Sequence, residues 1–306
     1  MTRLNGTFTA LITPFTADGT TVDVARLRAN VTTQSIAGVR GVVPCGTTGE
    51  TPTLSEREHL VVVEETIAAA HPAGLVVMAG AGANDTTRAV RMHRIVADLG
   101  ADAALHVTPY YNRPSQEGLY RHYASIADAS DLPVVLYNVP GRTGVTLASE
   151  TIVRLAGHPN IRGLKDATGN LVNAAAIAAE TDLDVLSGDD PLTPAFLSVG
   201  AVGVVSVLSN VLPSRVVAMV AAFLDGDVAA ALTQYRSTLP LARALLSLDS
   251  NPVPVKAALA LLGRDTGVVR PPLCPPPDEV VATLRALVTG EVNQADTRVA
   301  VEVAPR

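Results

Sequence analysis

The sequence predicts an α/β fold: a (β/α)8 TIM barrel over residues 1–224 and a C-terminal helical annex over residues 225–306. Three observations predict it. Short apolar runs alternate eight times with amphipathic stretches of helical period. The apolar runs are near-continuous, as in parallel strands covered on both faces. The eight units occupy about 220 residues, a fitting length for such a barrel. A doubly wound open sheet is the competing architecture, but the first strand–helix loop lacks the Gly-x-Gly-x-x-Gly phosphate fingerprint.

Taken in order, residues 7–12 are the first apolar run, stopped by Thr13 and Pro14, and 23–37 the first amphipathic stretch, closed by Gly38. Residues 41–45 are a strand and 46–50 its loop. A helix over 55–70 opens on a capping box, Ser55 with Glu58 three residues on. The third unit is a strand at 75–79, a loop at 80–85 and a helix at 86–99. The fourth is a strand at 103–107, a loop at 108–114 and a helix at 115–129. The fifth strand is 134–137, its loop 138–144 and its helix 149–156. The sixth, 161–164, ends on Lys165, and the chain turns at Gly169 into a helix near 170–180. The seventh strand is 183–186, followed by a loop at 187–190 and a helix near 194–199. Residues 203–207 are the last strand. From about 225 the pattern is purely helical: 227–248 as one helix or a broken pair, a helix that opens at 251–256 and runs to 262, and a last one near 278–288 beyond a proline-rich break. Residues 291–306 have weak periodicity and are expected to fray.

Composition narrows the class. Hydrophobic residues make up 48% and charged residues 17%, ample for a large core and against disorder. With aromatics at 3% and no Trp, that core is Ala, Val and Leu. A net charge of −6 without a dense basic run disfavours nucleic acid as a partner. Cys45 and Cys274 lie far apart, with no CxxC or His/Cys spacing, so no metal is expected and both read as reduced thiols. Residues 1–15 hold no signal-peptide pattern, and no uninterrupted apolar stretch reaches about 18 residues, so neither export nor a membrane span is expected. The expected location is cytoplasmic.

The chemistry gathers where a barrel puts it, at the carboxyl ends of the strands. Gly46, Thr47, Thr48 and Gly49 follow the second strand, and Tyr110 and Tyr111 the fourth. Tyr137 ends the fifth, with Arg142 in its loop, and Lys165 ends the sixth. Burial disfavours the charged form of an amine, and the neutral form attacks a carbonyl to give a Schiff base. Alone, Lys165 reads more readily as a solvated cation or a partner of Asp166, because structural ion pairs outnumber catalytic lysines. On one rim with the other residues it reads differently. An amine there can condense with a 2-oxo acid, and hydroxyls and backbone N–H groups of a Gly-rich loop can hold the acid's carboxylate. A tyrosine can shuttle protons, and Arg142 can grip a second carboxylate. No metal or organic cofactor is required, because the iminium is the electron sink.

These residues carry a resemblance over nearly the whole chain. Gly46-Thr47-Thr48-Gly49-Glu50, Tyr137-Asn138-Val139-Pro140, Lys165-Asp166-Ala167-Thr168-Gly169-Asn170 and Asn251-Pro252-Val253-Pro254-Val255-Lys256 resemble motifs of the dihydrodipicolinate synthase/N-acetylneuraminate lyase family of pyruvate-dependent class I aldolases. Thr108-Pro109-Tyr110-Tyr111-Asn112-Arg113-Pro114 and Gly141-Arg142-Thr143-Gly144 are typical of its dihydrodipicolinate synthase branch. The resemblance implies a lyase that condenses pyruvate with L-aspartate 4-semialdehyde to 4-hydroxy-tetrahydrodipicolinate, the opening step toward diaminopimelate and lysine. It implies Lys165 as the Schiff-base residue and Tyr137, Thr47 and Tyr111 as a proton relay, with Tyr111 reaching in from a neighbouring subunit. It implies Thr48 on the pyruvate carboxylate, Arg142 on the aldehyde's carboxylate, and Gly188 and Val205 lining the pyruvate pocket. Homotetramers built from tight dimers are common in the family.

One region departs from the pattern. Lysine-inhibited members carry a feedback pocket that His59, Asn84 and Tyr110 match, but Glu56 stands where they have histidine and Arg88 where they have the glutamate that pairs with the inhibitor's ammonium. Feedback by L-lysine is therefore expected to be weak or absent. Three other readings stay open: a related aldolase acting on a sugar-derived aldehyde, which Arg142 argues against; a catalytically silent pyruvate-binding paralogue; and a purely structural oligomer.

Overall fold

The computed structural model describes residues 3–291; the tail expected to fray over 291–306 lies, but for its first residue, outside them. The elements in order are β1 (Gly6–Ala10), α1 (Val24–Ile36), β2 (Gly41–Val43), α2 (Glu56–Ala70), β3 (Val76–Gly80), α3 (Thr86–Asp98), β4 (Ala103–Val107), α4 (Gln116–Ala127), β5 (Val134–Asn138), α5 (Pro140–Thr143), α6 (Ser149–Ala156), β6 (Ile161–Asp166), α7 (Leu171–Glu180), β7 (Asp184–Ser187), α8 (Thr193–Ser198), β8 (Gly203–Ser206), α9 (Pro213–Leu224), α10 (Val228–Ser247), α11 (Val253–Leu261) and α12 (Asp278–Glu291). The strands close into a parallel barrel in sequence order, β1 to β8. The (β/α)8 expectation holds.

Helix starts follow from local chemistry. Asp23, Asp85, Ser115, Asn170 and Asp227 each accept a backbone N–H three residues on, and Ser55 with Glu58 completes a capping box. Each such cap is worth about 0.5–2 kcal/mol, which explains why the boundaries are readable from sequence. Three expectations shift. The loop at 138–144 contains a helical turn, α5, which Pro140 opens and Gly144 closes at φ 73°. Lys165 lies inside β6, which runs on to Asp166. A helix that the sequence reading does not place, α9, follows β8; Pro213 suits its first position, where the missing N–H gives up only a hydrogen bond the helix start never makes. Of the two readings of 227–248, one helix or a broken pair, the first holds: α10 is a single helix with Pro240 inside it.

The chain falls into two compact units. One joins residues 3–6 to Met78–Val205, the other joins Thr7–Val77 to residues 206–291. In the first, the helix-facing core gathers Leu119, Tyr123, Leu136, Ile152, Leu164 and Phe196. In the second, Leu11, Val31, Val42, Leu75 and Val77 form the cluster. There Phe8 pairs in register with Gly41, and its ring fills the space a side chain at Gly41 would take. One glycine and one aromatic thus fill this part of the core, large against small.

Candidate active site

In the first unit the register of β5 and β6 builds the centre. Leu136 pairs with Leu164 and Tyr137 with Lys165. Leu136 and Leu164 belong to the helix-facing core, so their successors Tyr137 and Lys165 point to the opposite face, the barrel interior. A register shift between Val134 and Val135 makes this possible, since it puts Ile161 and Leu164, three apart, on one face. Gly163 sits at the bend, where a Cβ would come within 3.1 Å of Asp184 O. Lys165 Nζ lies 4.1 Å from the centroid of the Tyr137 ring. Lys165 is 6% exposed, so its amine is not in bulk water. Nor is it paired with Asp166: that carboxylate follows on the helix-facing side and accepts the Thr168 N–H at 2.8 Å. Burial pushes the Asp166 carboxyl above its ordinary range.

Loops of the same unit carry the remaining candidates. Arg142 is exposed on α5. Its loop is pinned by Asn138, whose Nδ2 donates to Leu147 O at 2.9 Å while Oδ1 accepts Leu147 N–H at 3.1 Å. Arg113 Nε donates to Gly144 O at 2.8 Å, fixing the other side. Gly188 donates its N–H to Asp166 O at 2.7 Å, so close that a Cβ would meet Ala167 Cβ at 2.8 Å. Val205 is buried on β8. Tyr111 is 91% exposed with φ 73°, so it does not pack against the buried amine of its own chain. Asn84 and Tyr110 do meet: Asn84 Nδ2 donates to Tyr110 O at 3.2 Å, and Asn112 Nδ2 returns to Asn84 O at 2.8 Å. Arg88 is exposed on α3, where Asp85 accepts its backbone N–H at 2.7 Å.

The second unit carries the hydroxyl loop. Gly49 N–H and Glu50 N–H fold back on Gly46 O and Thr47 O, and the loop is bracketed by left-handed residues, Cys45 at φ 54° and Glu50 at φ 53°. Thr48 is buried and Oγ1 accepts from Asn251 Nδ2 at 3.0 Å; Thr47 is half-buried. Burial pushes the Cys45 thiol far up, which rules it out as a thiolate nucleophile. Glu56 opens α2, and His59 is buried one turn on. Among the described residues no group of three or more His, Cys, Asp or Glu could hold a metal ion. No described helix is long and apolar enough to cross a membrane.

Roles for Asn251 and for the pair Glu50–Lys256 do not emerge from the sequence reading, although a signal exists. The chain has only two lysines, Lys165 and Lys256, and uses arginine for its other basic positions. Both lysines are buried.

Comparison with known proteins gives one answer throughout. Residues 3–291 match the model of the dihydrodipicolinate synthetase family. A 4-hydroxy-tetrahydrodipicolinate synthase of Methanothrix thermoacetophila is 48% identical over 93% of this chain and 96% of its own. One from Thermomicrobium roseum is 50% identical over 89% of each. Among solved structures, a chloride-inhibited dihydrodipicolinate synthase of Acinetobacter baumannii complexed with pyruvate superposes with a TM-score of 0.91 at 41% identity, over 94% of this chain and all of that one.

Proposed function

The chain belongs to the dihydrodipicolinate synthetase family, and from that membership and the geometry of Lys165 we infer a lyase that condenses pyruvate with L-aspartate 4-semialdehyde to 4-hydroxy-tetrahydrodipicolinate. The observation that carries the reading is a buried lysine, in register with a tyrosine on the neighbouring strand and 4.1 Å from its ring.

The residues divide the work as follows. Lys165 attacks C2 of pyruvate, and the carbinolamine loses water to give an iminium. The iminium draws electrons from C3, whose proton leaves to form an enamine. The enamine carbon attacks the aldehyde of the semialdehyde, and the aldehyde oxygen takes up a proton. The substrate's own amine then closes on C2 and expels Lys165. Each step moves a proton, and Tyr137, Thr47 and a neighbouring subunit's Tyr111 are the groups we assign to carry them. Thr48 holds the pyruvate carboxylate, with Gly188 and Val205 lining its pocket, and Arg142 grips the carboxylate of the semialdehyde. That last role favours a short acidic aldehyde over a sugar. The protein works as a homo-oligomer, a tetramer of two tight dimers, in the cytoplasm.

Borohydride reduction in the presence of pyruvate, followed by peptide mass mapping, tests the reading. With two lysines in the chain the assignment is unambiguous: the adduct falls on Lys165, and Lys165→Ala abolishes it. An adduct on Lys256, or none, overturns the proposal.

A further inference from the structure

The segment from Asn251 to Lys256 is the sequence motif that the chemistry above leaves unused, yet it touches the hydroxyl loop across 203 and 206 residues of chain. Asn251 Nδ2 donates to Thr48 Oγ1 at 3.0 Å. A hydroxyl that accepts from an amide keeps its own proton to donate elsewhere. Lys256 Nζ, on α11 and 0% exposed, donates to Glu50 Oε1 at 2.7 Å and to Thr13 O at 2.9 Å. The loop ties back to the same knot: Thr13 Oγ1 donates to Gly49 O at 2.7 Å, and Arg270 N–H donates to Glu50 Oε2 at 3.0 Å. Phe15 packs beneath, its ring centroid 4.1 Å from Lys256 Nζ. Left-handed conformations such as those of Cys45 and Glu50 persist only where the surroundings over-determine them, and these bonds supply that constraint.

We propose that Asn251 and Lys256 are positioning residues of the keto-acid site: Lys256 fixes the loop through Glu50, and Asn251 turns the Thr48 hydroxyl into a donor toward the acid's carboxylate. The inference rests on the reading of Lys165 and Thr48 given above. Lys256 is not a second Schiff-base amine, because its Nζ is 0% exposed and engaged by Glu50 Oε1 and Thr13 O.

Two variants of Asn251 separate polarity from packing. Asn251→Ala removes the donor and frees the hydroxyl to rotate. Asn251→Asp keeps the shape but reverses the bond: the carboxylate accepts the hydrogen bond of the Thr48 O–H and sets a like charge beside the acid. In steady-state assays of the full-length protein, the KM for pyruvate rises about tenfold in Asn251→Ala and about a hundredfold in Asn251→Asp. The KM for the semialdehyde and the melting temperature stay close to wild type. A packing role alone predicts the reverse order, with the isosteric Asp milder than Ala; that order, or a pyruvate KM unchanged in both, overturns the proposal. Lys256→Met alone would strand a buried carboxylate, so the paired variant Glu50→Gln/Lys256→Met is used, and it too shows a raised pyruvate KM. A folded double variant with wild-type KM removes Lys256 from the device, and the Asn251 pair, which leaves the ion pair intact, decides the rest whether or not the double variant folds. Labelling of wild-type Lys165 by pyruvate and borohydride is measured alongside. If it fails, the reading of the site fails; if it succeeds and the Asn251 variants behave as wild type, only this inference does.

Discussion

Tyr137 and Lys165 share one rung of the β5–β6 ladder, so removing the phenolic oxygen changes the chemistry and leaves the packing. Tyr137→Phe is expected to lower kcat/KM by roughly 10²–10⁴-fold, the usual worth of a positioned proton-transfer group, with an unchanged melting temperature. A variant as fast as wild type takes Tyr137 out of the relay. A second residue-scale effect lies on the helix-facing side of β4. His93 Nδ1 and His106 Nε2 are 3.1 Å apart, and His122 Nδ1 meets Thr86 Oγ1 at 2.9 Å. Burial holds His93 and His122 down to about 4 and His106 well below its ordinary range. Between pH 6.5 and 4 the unfolded chain binds protons these rings refuse when folded. Stability therefore falls as pH falls, by about 1.4 kcal/mol per unit for each histidine. Asp265, raised to about 6 by burial, and Asp166 and Asp189, raised by burial too, act with the opposite sign, but the loss from the three imidazoles sets in at higher pH. Urea midpoints should drop between pH 7 and pH 5, and less steeply in His93→Leu/His106→Leu. A flat profile in wild type would contradict this account.

At the scale of elements, the turn after β7 depends on backbone approach rather than on side chains. Gly188 N–H reaches Asp166 O at 2.7 Å. Gly188→Ala forces a methyl to within 2.8 Å of Ala167 Cβ and should destabilise the protein by about 1–3 kcal/mol, as overpacking does. Because β6 carries Lys165, the pyruvate KM should rise with it; an urea midpoint equal to wild type would show that the turn relaxes freely. Elements of this kind were legible to different degrees. Helices capped by Asp, Ser or Asn announce themselves, because the cap is a local bond between residues three apart. The strand that ends near Lys165 is legible because a lysine beside Leu164 breaks an apolar run. The turn of helix at Pro140–Thr143 is not, because what holds it, Asn138 on Leu147 and Arg113 on Gly144, comes from other elements. The grip of Asn251 on Thr48 is invisible for the same reason: nothing in a one-dimensional pattern pairs residues 203 positions apart.

For the whole molecule, the placement of Tyr111 decides what one chain can do alone. Its ring is 91% exposed on a backbone held at φ 73°, while the amine it would serve is buried in the same chain. A strained, solvent-facing phenol is a poor investment for a monomer and a sensible one for a residue that completes a second copy's site. Subunit mixing tests this. Lys165→Ala retains Tyr111 but no amine, and Tyr111→Phe retains the amine but no phenol; each alone should be nearly inactive. Unfolded together and refolded, half of the tight dimers are hybrids, and in each hybrid one of two sites has both groups. Activity should therefore return to about a quarter of wild type if a two-fold interface joins the sites. Should Tyr111 act within its own chain, the hybrid contains no complete site and mixing restores nothing. Sedimentation of the mixture fixes the oligomer in the same experiment, so that a failure to assemble is distinguished from assembly without rescue.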